Sequence, residues 1–328
     1  MQITTTENKL ISSADGEVIL DSAMKANLVF EHSCKTGQCG VCKTTLLSGE
    51  VKEVQQQISL LEKDKANNQI LTCCCSPVTD ILIDAQDLSA LHGIEVKTLP
   101  VKISDITFLT EDIVKIVLRF PPTAHVKFLA GQYVDISYKG IKRSYSISSS
   151  EQESGLSFII KKVENGEMSE YWFNSAKEGD LLRIEGPKGT FFYRHEAKDK
   201  PTLMLATGTG IAPMLSILNT LDQQHEYVQN APIHLYWGNR TLDEFSQEFT
   251  FSKLDVKVIK VLSKNSTQWS GQVGYVQDVA LADLMDLNGY KVYACGSNVM
   301  IQSAKQLLTD NGLNSVDFHS DAFVQSFS

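Results

Sequence analysis

Six short runs rich in β-branched and other hydrophobic residues, separated by Gly, Pro and Asn turns, occupy residues 100–198. Runs of this length and composition predict the strands of a small antiparallel β-barrel. One helix is predicted from Ser169 to Lys177, between the last two runs. The predicted strands are Val101–Ile106, Ile113–Phe120, Gln132–Ser137, Ser144–Ser148, Leu156–Val163 and Asp180–Glu185.

From residue 199 to residue 328 the pattern changes to apolar strands that alternate with helices. This order predicts an open α/β sheet of parallel strands with crossover helices. The predicted strands are Thr202–Ala206, Ile233–Trp237, Lys257–Leu262 and Tyr290–Ala294, and the predicted helices are Met214–Thr220 and Asn298–Asn311.

Residues 1–92 mix short strands with a helix. Lys9–Ser12 and Glu17–Leu20 flank an Asp15-Gly16 turn, which predicts a hairpin. A short helix is expected to begin at Asp21. A second strand pair is predicted from Cys42–Leu47 and Ile81–Asp84, which gives an α+β unit in β-grasp order. We therefore expect a multidomain chain, with domains at 1–92, 100–198 and 199–328 and a linker at 93–99.

Composition limits the number of domains, the kinds of partner and the cellular compartment. The 328 residues are 42% hydrophobic, enough for two or three domains. The net charge of −9 disfavours nucleic acid and anionic membranes as partners, because both require basic patches. The seven cysteines are an odd number and are clustered, which favours a reducing compartment. With no signal-like N-terminus and no run of about 18 apolar residues, a cytoplasmic location is expected.

The cysteines carry the strongest chemical signal. Cys34, Cys39 and Cys42 have C-x4-C-x2-C spacing, and Cys73, Cys74 and Cys75 follow about thirty residues later. This spacing with one remote cysteine is typical of a plant-type [2Fe–2S] cluster, held by four thiolates. Gly37 and Gly40 let the loop bend closely around such a cluster. Zinc is the alternative, although zinc sites usually use two short knuckles; buried free thiols are another.

The barrel contains Arg143-Ser144-Tyr145-Ser146-Ile147-Ser148. A flavin dinucleotide needs a cation at its pyrophosphate, an aromatic face for its ring and hydroxyl groups at the ring edge, and this run offers all three. The alternative is a solvated sheet edge. Downstream, Gly166 ends a strand, and Ser169 is a candidate helix cap beside an anion or simply a cap.

In the third domain, a buried strand leads into Thr207-Gly208-Thr209-Gly210 and then a helix. A glycine-rich turn in this position presents N–H groups to a pyrophosphate, although such turns also serve packing alone. Cys295-Gly296 follows a later strand, at the strand end where open α/β sheets bind ligands. The alternative for Cys295 is an ordinary buried cysteine.

Taken in order behind the cysteine cluster, these motifs resemble those of the ferredoxin–NADP reductase superfamily, specifically its fused NADH-dependent reductases. Within it, several stretches are similar to those of the CDP-6-deoxy-Δ3,4-glucoseen reductases of 3,6-dideoxyhexose biosynthesis. Reductase components of aromatic-ring oxygenases share much of the pattern. The stretches are Ala130–Tyr133, Leu182–Phe192, Tyr236–Gly238, Val292–Ser297 and Ser320–Val324.

The resemblance implies a role for each matching residue. Cys73, which follows Ile70-Leu71-Thr72 as in plant-type ferredoxins, becomes the fourth cluster ligand beside Cys34, Cys39 and Cys42. The implied FAD-binding residues are Arg143, Ser144, Tyr145, Ser146, Gly166 and Ser169, with Ser146 near flavin N5. The implied NADH-binding residues are Gly208, Thr209, Gly210, Cys295 and Gly296, with Cys295 beside the nicotinamide.

Phe323 is the implied aromatic lid over the flavin, and Phe318 is its rival. Two departures from the family pattern stand out: Thr207 replaces a glycine, and the tail Gln325–Ser328 replaces a short proline-containing end. A 2′-phosphate usually recruits paired cations. Asn239-Arg240 and Ser263-Lys264 offer single ones, and the resemblance implies NADH.

The resemblance thus implies an NADH-dependent oxidoreductase that passes electrons from NADH to FAD, to a [2Fe–2S] cluster and to an acceptor protein. That acceptor is a pyridoxamine-phosphate-dependent dehydratase in the first hypothesis and a Rieske or di-iron oxygenase in the second. A third hypothesis, from another class, is a non-enzymatic [2Fe–2S] redox sensor or interaction module. No DNA-binding motif supports a sensor that acts on DNA.

Overall fold

The computed structural model describes residues 1–224, 230–245, 247–264 and 266–323. The chain divides into two compact units. Met1–Ile94 and the short segment Gly189–Phe191 form the first, and Glu95–Lys188 with the chain from Phe192 onwards forms the second. The three domain ranges expected from the sequence remain predictions. Among the described residues, no helix combines the length and the apolar character that crossing a bilayer requires.

The first unit is a mixed β-sheet with two short helices. Its elements are β1 (Gln2–Thr5), β2 (Leu10–Ser12), α1 (Ile19–Lys25), β3 (Lys43–Ser48), β4 (Val51–Glu53), α2 (Glu62–Ala66), β5 (Gln69–Leu71), β6 (Cys75–Pro77) and β7 (Ile81–Ile83). The sheet order is β2-β1-β7-β3-β5, and β4 pairs separately with β6. Strands β1 and β7 are parallel, with Ile3 opposite Ile81. Strand β3 pairs with β7 as predicted, and this pairing is antiparallel.

The predicted hairpin in this unit is wrong. Ile19 and Leu20, expected in a strand, lie in α1, which begins two residues before Asp21. Ile19, Leu20 and Ala23 are buried on one side of the helix, and this burial stabilises it. Strand β2 pairs instead with β1, which precedes it. Alternation over four residues is too short to distinguish a strand from the first turn of a buried helix.

The first half of the second unit is antiparallel. Its elements are β8 (Lys97–Phe108), β9 (Ile113–Arg119), β10 (Tyr133–Tyr138), β11 (Ile141–Ser146), β12 (Gly155–Lys161), α3 (Glu167–Glu170) and β13 (Leu181–Lys188). The sheet order is β11-β10-β13-β8-β9-β12, and the edge strands β11 and β12 approach each other as in a barrel. The predicted antiparallel barrel is confirmed. Strand β8 begins within the predicted 93–99 linker because Lys97 pairs with Gly186 of β13.

The second half of this unit is an open parallel sheet. Its elements are β14 (Thr202–Thr207), α4 (Ile211–Gln223), β15 (Ile233–Asn239), β16 (Val256–Leu262), β17 (Gln272–Val273), α5 (Val276–Leu284), β18 (Lys291–Ser297), α6 (Asn298–Asp310) and β19 (Phe318–Phe323). The strand order is β17-β16-β15-β14-β18-β19, and every pairing is parallel, as predicted. The carboxyl ends of β14, β15 and β18 therefore share one edge, which is where such sheets bind ligands.

Candidate functional site

The cysteine loop, residues 34–42, bends through glycines with left-handed backbone. Gly37 has φ +74° and Gly40 has φ +73°. A Cβ at Gly37 would collide with the Gln56 carbonyl oxygen and lie 2.9 Å from the Cys74 sulfur. Position 37 therefore requires glycine for both conformation and space. Cys34 is partly exposed, whereas Cys39 and Cys42 are buried.

The four predicted ligands lie in two pairs. The Cys42 and Cys73 sulfurs are 3.3 Å apart. The Cys34 sulfur accepts hydrogen bonds from the Cys39 thiol and, at 3.4 Å, from the Cys39 backbone N–H. Nowhere in the described residues do three or more His, Cys, Asp or Glu side chains converge as a single metal ion would need. Two pairs suit a two-iron cluster, because four thiolates shared between two irons give two to each.

Each pair holds one easily ionised sulfur and one that resists ionisation. The hydrogen bond from the Cys39 thiol lowers the pKa of Cys34 to about 4. In the same way, the hydrogen bond from Cys42 lowers the pKa of Cys73 to about 7. Donating these hydrogen bonds, together with burial, raises the pKa values of Cys39 and Cys42. Binding of a cluster would displace the protons that remain, since thiolates are the metal ligands.

The three adjacent cysteines have different surroundings. Cys73 faces Cys42, and the Cys74 sulfur lies 3.5 Å from the Cys73 sulfur. Cys75 belongs to β6, opposite Glu53. Burial first, and then Glu53, raises the pKa of Cys75 to about 12. The Cys42 contact favours Cys73 as the fourth ligand, which stays a prediction.

The predicted flavin strand, residues 143–146, lies in β11. The Trp172 indole Nε1 donates a hydrogen bond to the Tyr145 hydroxyl at 2.9 Å, and the two rings are nearly perpendicular with centroids 6.0 Å apart. Burial raises the pKa of Tyr145 to about 12. Ser146 is buried at the strand end. The indole thus fixes the orientation of the Tyr145 ring.

The polar neighbours on this strand belong to a small ionic network. The Ser144 hydroxyl donates to Asp135 Oδ1 at 2.6 Å, and Lys188 Nζ donates to Asp135 Oδ2 at 2.7 Å. Burial raises the pKa of Asp135, but the hydrogen bonds from Lys188 and Ser144 outweigh it and lower the pKa. Arg143 Nη1 donates to the Lys142 carbonyl oxygen at 2.8 Å. Ser144 and Asp135 therefore hold each other in place.

The structure corrects the helix beside this strand. Ser169 is expected to cap it, but the residue at the N-cap is Gly166, and Ser169 lies within α3. The Ser169 hydroxyl accepts a hydrogen bond from the Val163 backbone N–H at 2.9 Å. The regular turns run over Glu167–Glu170 and then Tyr171–Ser175, two residues earlier than the predicted 169–177. This hydrogen bond from Val163 to Ser169 thus connects the preceding turn to the helix.

The nucleotide turn, Gly208–Gly210, joins β14 to α4. A Cβ at Gly210 would collide with the Cys295 carbonyl oxygen, and one at Gly296, where φ is +148°, would collide with the Thr207 hydroxyl. Gly208 has φ +55° and faces open space. Gly210 and Gly296 therefore allow the ends of β14 and β18 to touch, and Gly208 leaves open space beside the turn.

A small surface cleft adjoins the nucleotide turn. Its lining includes Gly208, Thr209 and Trp237 from the parallel sheet and Ile113 and Ile159 from the barrel. The Trp237 indole Nε1 donates to the Gly208 carbonyl oxygen at 3.0 Å, which fixes one side of the turn. The cleft is thus walled by both halves of the second unit.

An ion pair between Lys161 and Glu244 adjoins the same cleft. Glu244 also accepts a hydrogen bond from the Arg240 backbone N–H at 2.8 Å. Burial raises the pKa of Glu244, but Lys161 and this backbone donor together lower it. Glu244 is therefore a charged anchor for the loop that follows β15.

Cys295 and the two candidate lid residues differ in exposure. Cys295 has no exposed surface, and burial, followed by Asp321, raises the pKa of its thiol. Phe323, at the end of β19, is 40% exposed, whereas Phe318 is buried. The structure thus brings Cys295 to the nucleotide turn but shields it. Val324 and the tail Gln325–Ser328 lie outside the described residues.

Sequence reasoning missed two kinds of residue. Trp172 orients Tyr145 from 27 residues away in the sequence, and Asp135 orients Ser144 from 9 residues away, but neither belongs to a motif. Asn239, considered only for the charge of its neighbour, is buried, and neither of its amide atoms has a hydrogen-bond partner among the described residues. Its position at the end of the second strand of the parallel sheet, next to the strand that ends in the nucleotide turn, is the signal that could have identified it.

The site has three parts: paired cysteines, an oriented tyrosine on a barrel strand, and a glycine turn on a parallel sheet. Together they define an electron-transfer reductase that combines iron–sulfur, flavin and nicotinamide domains. Three family matches support this class. The 2Fe-2S iron-sulfur cluster binding domain matches residues 4–78, the oxidoreductase FAD-binding domain residues 100–193, and the oxidoreductase NAD-binding domain residues 204–306. The predicted cofactors, a [2Fe–2S] cluster, FAD and NADH, are thereby confirmed.

The chain belongs to the ferredoxin–NADP reductase superfamily, in the group whose members carry their own 2Fe–2S domain. It is 40% identical to CDP-6-deoxy-L-threo-D-glycero-4-hexulose-3-dehydrase reductase of Yersinia pestis, over 97% of this chain and 96% of that protein. It is 30% identical to the phenol hydroxylase P5 protein of Acinetobacter pittii, over 96% and 92%. The fold matches the ferredoxin reductase of carbazole 1,9a-dioxygenase with a TM-score of 0.67 at 24% identity, covering 98% of both chains.

Proposed function

We propose that this NADH-dependent reductase supplies electrons to a pyridoxamine-phosphate-dependent dehydratase that acts on a CDP-linked 4-keto-6-deoxyhexose. The observation that carries the proposal is the difference in similarity: 40% identity to a hexulose-3-dehydrase reductase against 30% to an oxygenase component. Both matches span nearly the whole chain, so the difference is not caused by unequal coverage. We also place the reaction in the cytoplasm, because the cysteines are clustered with metal-ligand spacing instead of being spread as a disulfide framework.

The barrel residues are assigned to the flavin. When bound, FAD accepts electrons in pairs and releases them singly to one-electron carriers. Tyr145, held by Trp172, stacks on the ring, and the buried Ser146 lies beside its reacting edge. Arg143 and Ser169 bind the pyrophosphate, with Ser144 and Gly166 shaping the strand and turn around it. Phe323, the exposed aromatic of the two candidates, covers the ring.

The nucleotide turn is assigned to NADH. Gly208 and Thr209 line the cleft, and Gly208 leaves open space where a pyrophosphate can approach the backbone. Gly210 and Gly296 keep the β14 and β18 ends in contact, and Cys295, whose backbone lies against Gly210, is assigned to the nicotinamide end of the nucleotide. Because Cys295 is fully buried, its thiol stays protonated, and its role is to position the nicotinamide and to shield it from solvent.

The electron exit is assigned to the cysteine pairs. Cys34 with Cys39 and Cys42 with Cys73 supply two thiolates for each iron. The loop backbone supports this role, because the Thr36 and Cys39 N–H groups both donate to the Cys34 sulfur at 3.4 Å. Such hydrogen bonds stabilise the negative charge on a ligand sulfur.

A coupled assay tests the acceptor. The purified protein, with FAD and cluster verified by absorption and electron paramagnetic resonance, is mixed with NADH and a CDP-4-keto-6-deoxyglucose 3-dehydratase carrying pyridoxamine phosphate. We expect NADH-dependent formation of a 3-deoxy product, and none when either protein is left out. Ferricyanide reduction without this product, in the presence of an active dehydratase, would contradict the proposed acceptor but not the reductase chemistry.

The second candidate acceptor is an oxygenase, and the Acinetobacter phenol hydroxylase relative is the observation that favours it. The matched experiment replaces the dehydratase with the hydroxylase component of a phenol hydroxylase and measures NADH-dependent hydroxylation. Faster coupling to this component than to the dehydratase would reverse our choice.

A further inference from the structure

We propose that Cys74 sets the reduction potential of the cluster by donating an S–H hydrogen bond to the sulfur of Cys73. The inference rests on the ligand role proposed above for Cys73. The observation behind it is the 3.5 Å separation of the two sulfurs, in a segment where both residues are buried. Cys74 is therefore a positioning residue that acts on the cluster through one of its ligands.

The neighbours of Cys74 hold its sulfur in one place. Gln55 Nε2 lies 3.8 Å from it as a donor, and the Gln56 carbonyl oxygen lies 3.7 Å from it as an acceptor. On another side the loop passes so closely that a Cβ at Gly37 would be 2.9 Å from the same sulfur. Because Gln55 Nε2 donates a hydrogen bond to the Cys74 sulfur, the thiol hydrogen of Cys74 remains available for donation to an acceptor.

Two acceptors compete for that proton, and cluster binding changes the competition. The Gln56 carbonyl oxygen is neutral, whereas a ligating Cys73 sulfur carries negative charge, and hydrogen bonds to charged acceptors are the stronger ones. The Cys73 sulfur is also the nearer of the two, at 3.5 Å against 3.7 Å. The thiol proton therefore turns towards Cys73 once the cluster is bound.

The effect on the potential has a definite sign. Reduction adds one electron to the cluster and increases the negative charge on its sulfurs, while the Cys74 S–H bond stays intact. A donor at the Cys73 sulfur stabilises the reduced form more than the oxidised form, since hydrogen bonds to the sulfurs are one of the factors that set these potentials. Removing the donor must then lower the potential.

Cys75 is the matched control that the chain provides. It is also buried and adjoins Cys74, but it lies in β6 opposite Glu53, and among the described residues its sulfur makes no hydrogen bond to the Cys73 sulfur. A thiol-to-methyl change there removes the same atoms without removing a donor from the Cys73 sulfur.

The experiment is a redox titration of the full-length protein with FAD bound, followed by the electron paramagnetic resonance signal of the reduced cluster. We expect Cys74→Ala to lower the equilibrium constant for reduction about tenfold, which is about 59 mV for a one-electron couple. Cys74→Ser, which keeps an O–H donor, should recover at least half of that shift. Cys75→Ala should match the wild type.

A Cys74→Ala protein that carries the cluster at the wild-type potential would overturn the inference, as would an equal shift in Cys75→Ala. If Cys74→Ala fails to assemble a cluster, Cys74→Ser and Cys74→Val are compared instead, and equal potentials in those two variants would overturn it. Absence of a [2Fe–2S] spectrum from the wild-type protein would refute the proposed electron exit itself, so the two failures are distinguishable.

Discussion

The cysteine loop and the nucleotide turn each contain a glycine at which a Cβ would collide with a neighbouring residue. The two neighbouring residues differ in how far they lie from the glycine in the sequence. At Gly37 the obstacles are Gln56 and Cys74, within the same unit and the same motif region. At Gly210 the obstacle is Cys295, which arrives from a strand made much later. The first site is defined by local spacing and the second by the meeting of remote strands. Substitutions should therefore damage them differently.

The largest expected effect is at the cysteine loop. Cys73→Ser should abolish the native [2Fe–2S] spectrum, because one of the four thiolates is lost. FAD content should stay near one per chain, since FAD is assigned to the barrel. Iron, labile sulfide and flavin analyses measure this. Cys75→Ser serves as the control and should retain the cluster, and loss of the cluster in Cys75→Ser but not in Cys73→Ser would refute the assignment of the fourth ligand.

A smaller effect is expected at the nucleotide turn. Gly210→Ala should raise the KM for NADH at least about tenfold, because its Cβ forces the β14 and β18 ends apart; this corresponds to roughly 1.4 kcal/mol of lost binding. Cluster and flavin absorption should remain unchanged. Steady-state ferricyanide reduction provides the measurement.

The control for that change is Gly208→Ala, where open space leaves only the left-handed φ as a cost of about 1 kcal/mol. Its KM should change less than that of Gly210→Ala. The reverse ranking would show that the close approach to Cys295 is unimportant.

The smallest expected effect concerns the buried amide beside the nucleotide turn. Asn239→Leu should raise the free energy of unfolding by roughly 1 kcal/mol, because an unsatisfied buried amide costs about 1–3 kcal/mol. Urea denaturation without NADH measures it. Gln277→Leu is the comparison. The Gln277 Oε1 also has no partner among the described residues, but its Nε2 donates to Ser303 Oγ at 3.2 Å, so this change breaks one hydrogen bond. If Asn239→Leu lowers the free energy of unfolding as much as Gln277→Leu does, the Asn239 amide has a hydrogen-bond partner in solution.

The sequence predicted the elements whose signal is local. The cysteine spacing, each β-rich run of the barrel and the glycine turn after β14 lie within single short segments. The fold class and cofactors that they indicate are confirmed. The predicted hairpin at Glu17–Leu20 failed because burial against the sheet, which is not local, makes Ile19 and Leu20 helical. Strand β19 escaped prediction because His319 and Asp321 interrupt its apolar pattern although both are buried.

The assignment of individual site residues was harder for the same reason. Tyr145 could be identified from its motif, but the Trp172 indole that orients it comes from a turn 27 residues away. The exposure of Cys295 and Phe323 also depends on the packing of strands around them, and no local pattern encodes it. Sequence therefore indicates which residue types meet at the site, and the tertiary contacts decide which of them are held, shielded or exposed.

The parallel pairing of β1 with β7 has a consequence for how the protein is made. Ile3 precedes the cysteine loop in the chain, whereas its partner Ile81 follows the entire loop and Cys73. Because β7 lies between β1 and β3, the sheet of the first unit has no centre until Ile81 has left the ribosome. A chain that ends before Ile81 would therefore carry the cysteine loop and Cys73 on a sheet that lacks the strand between β1 and β3.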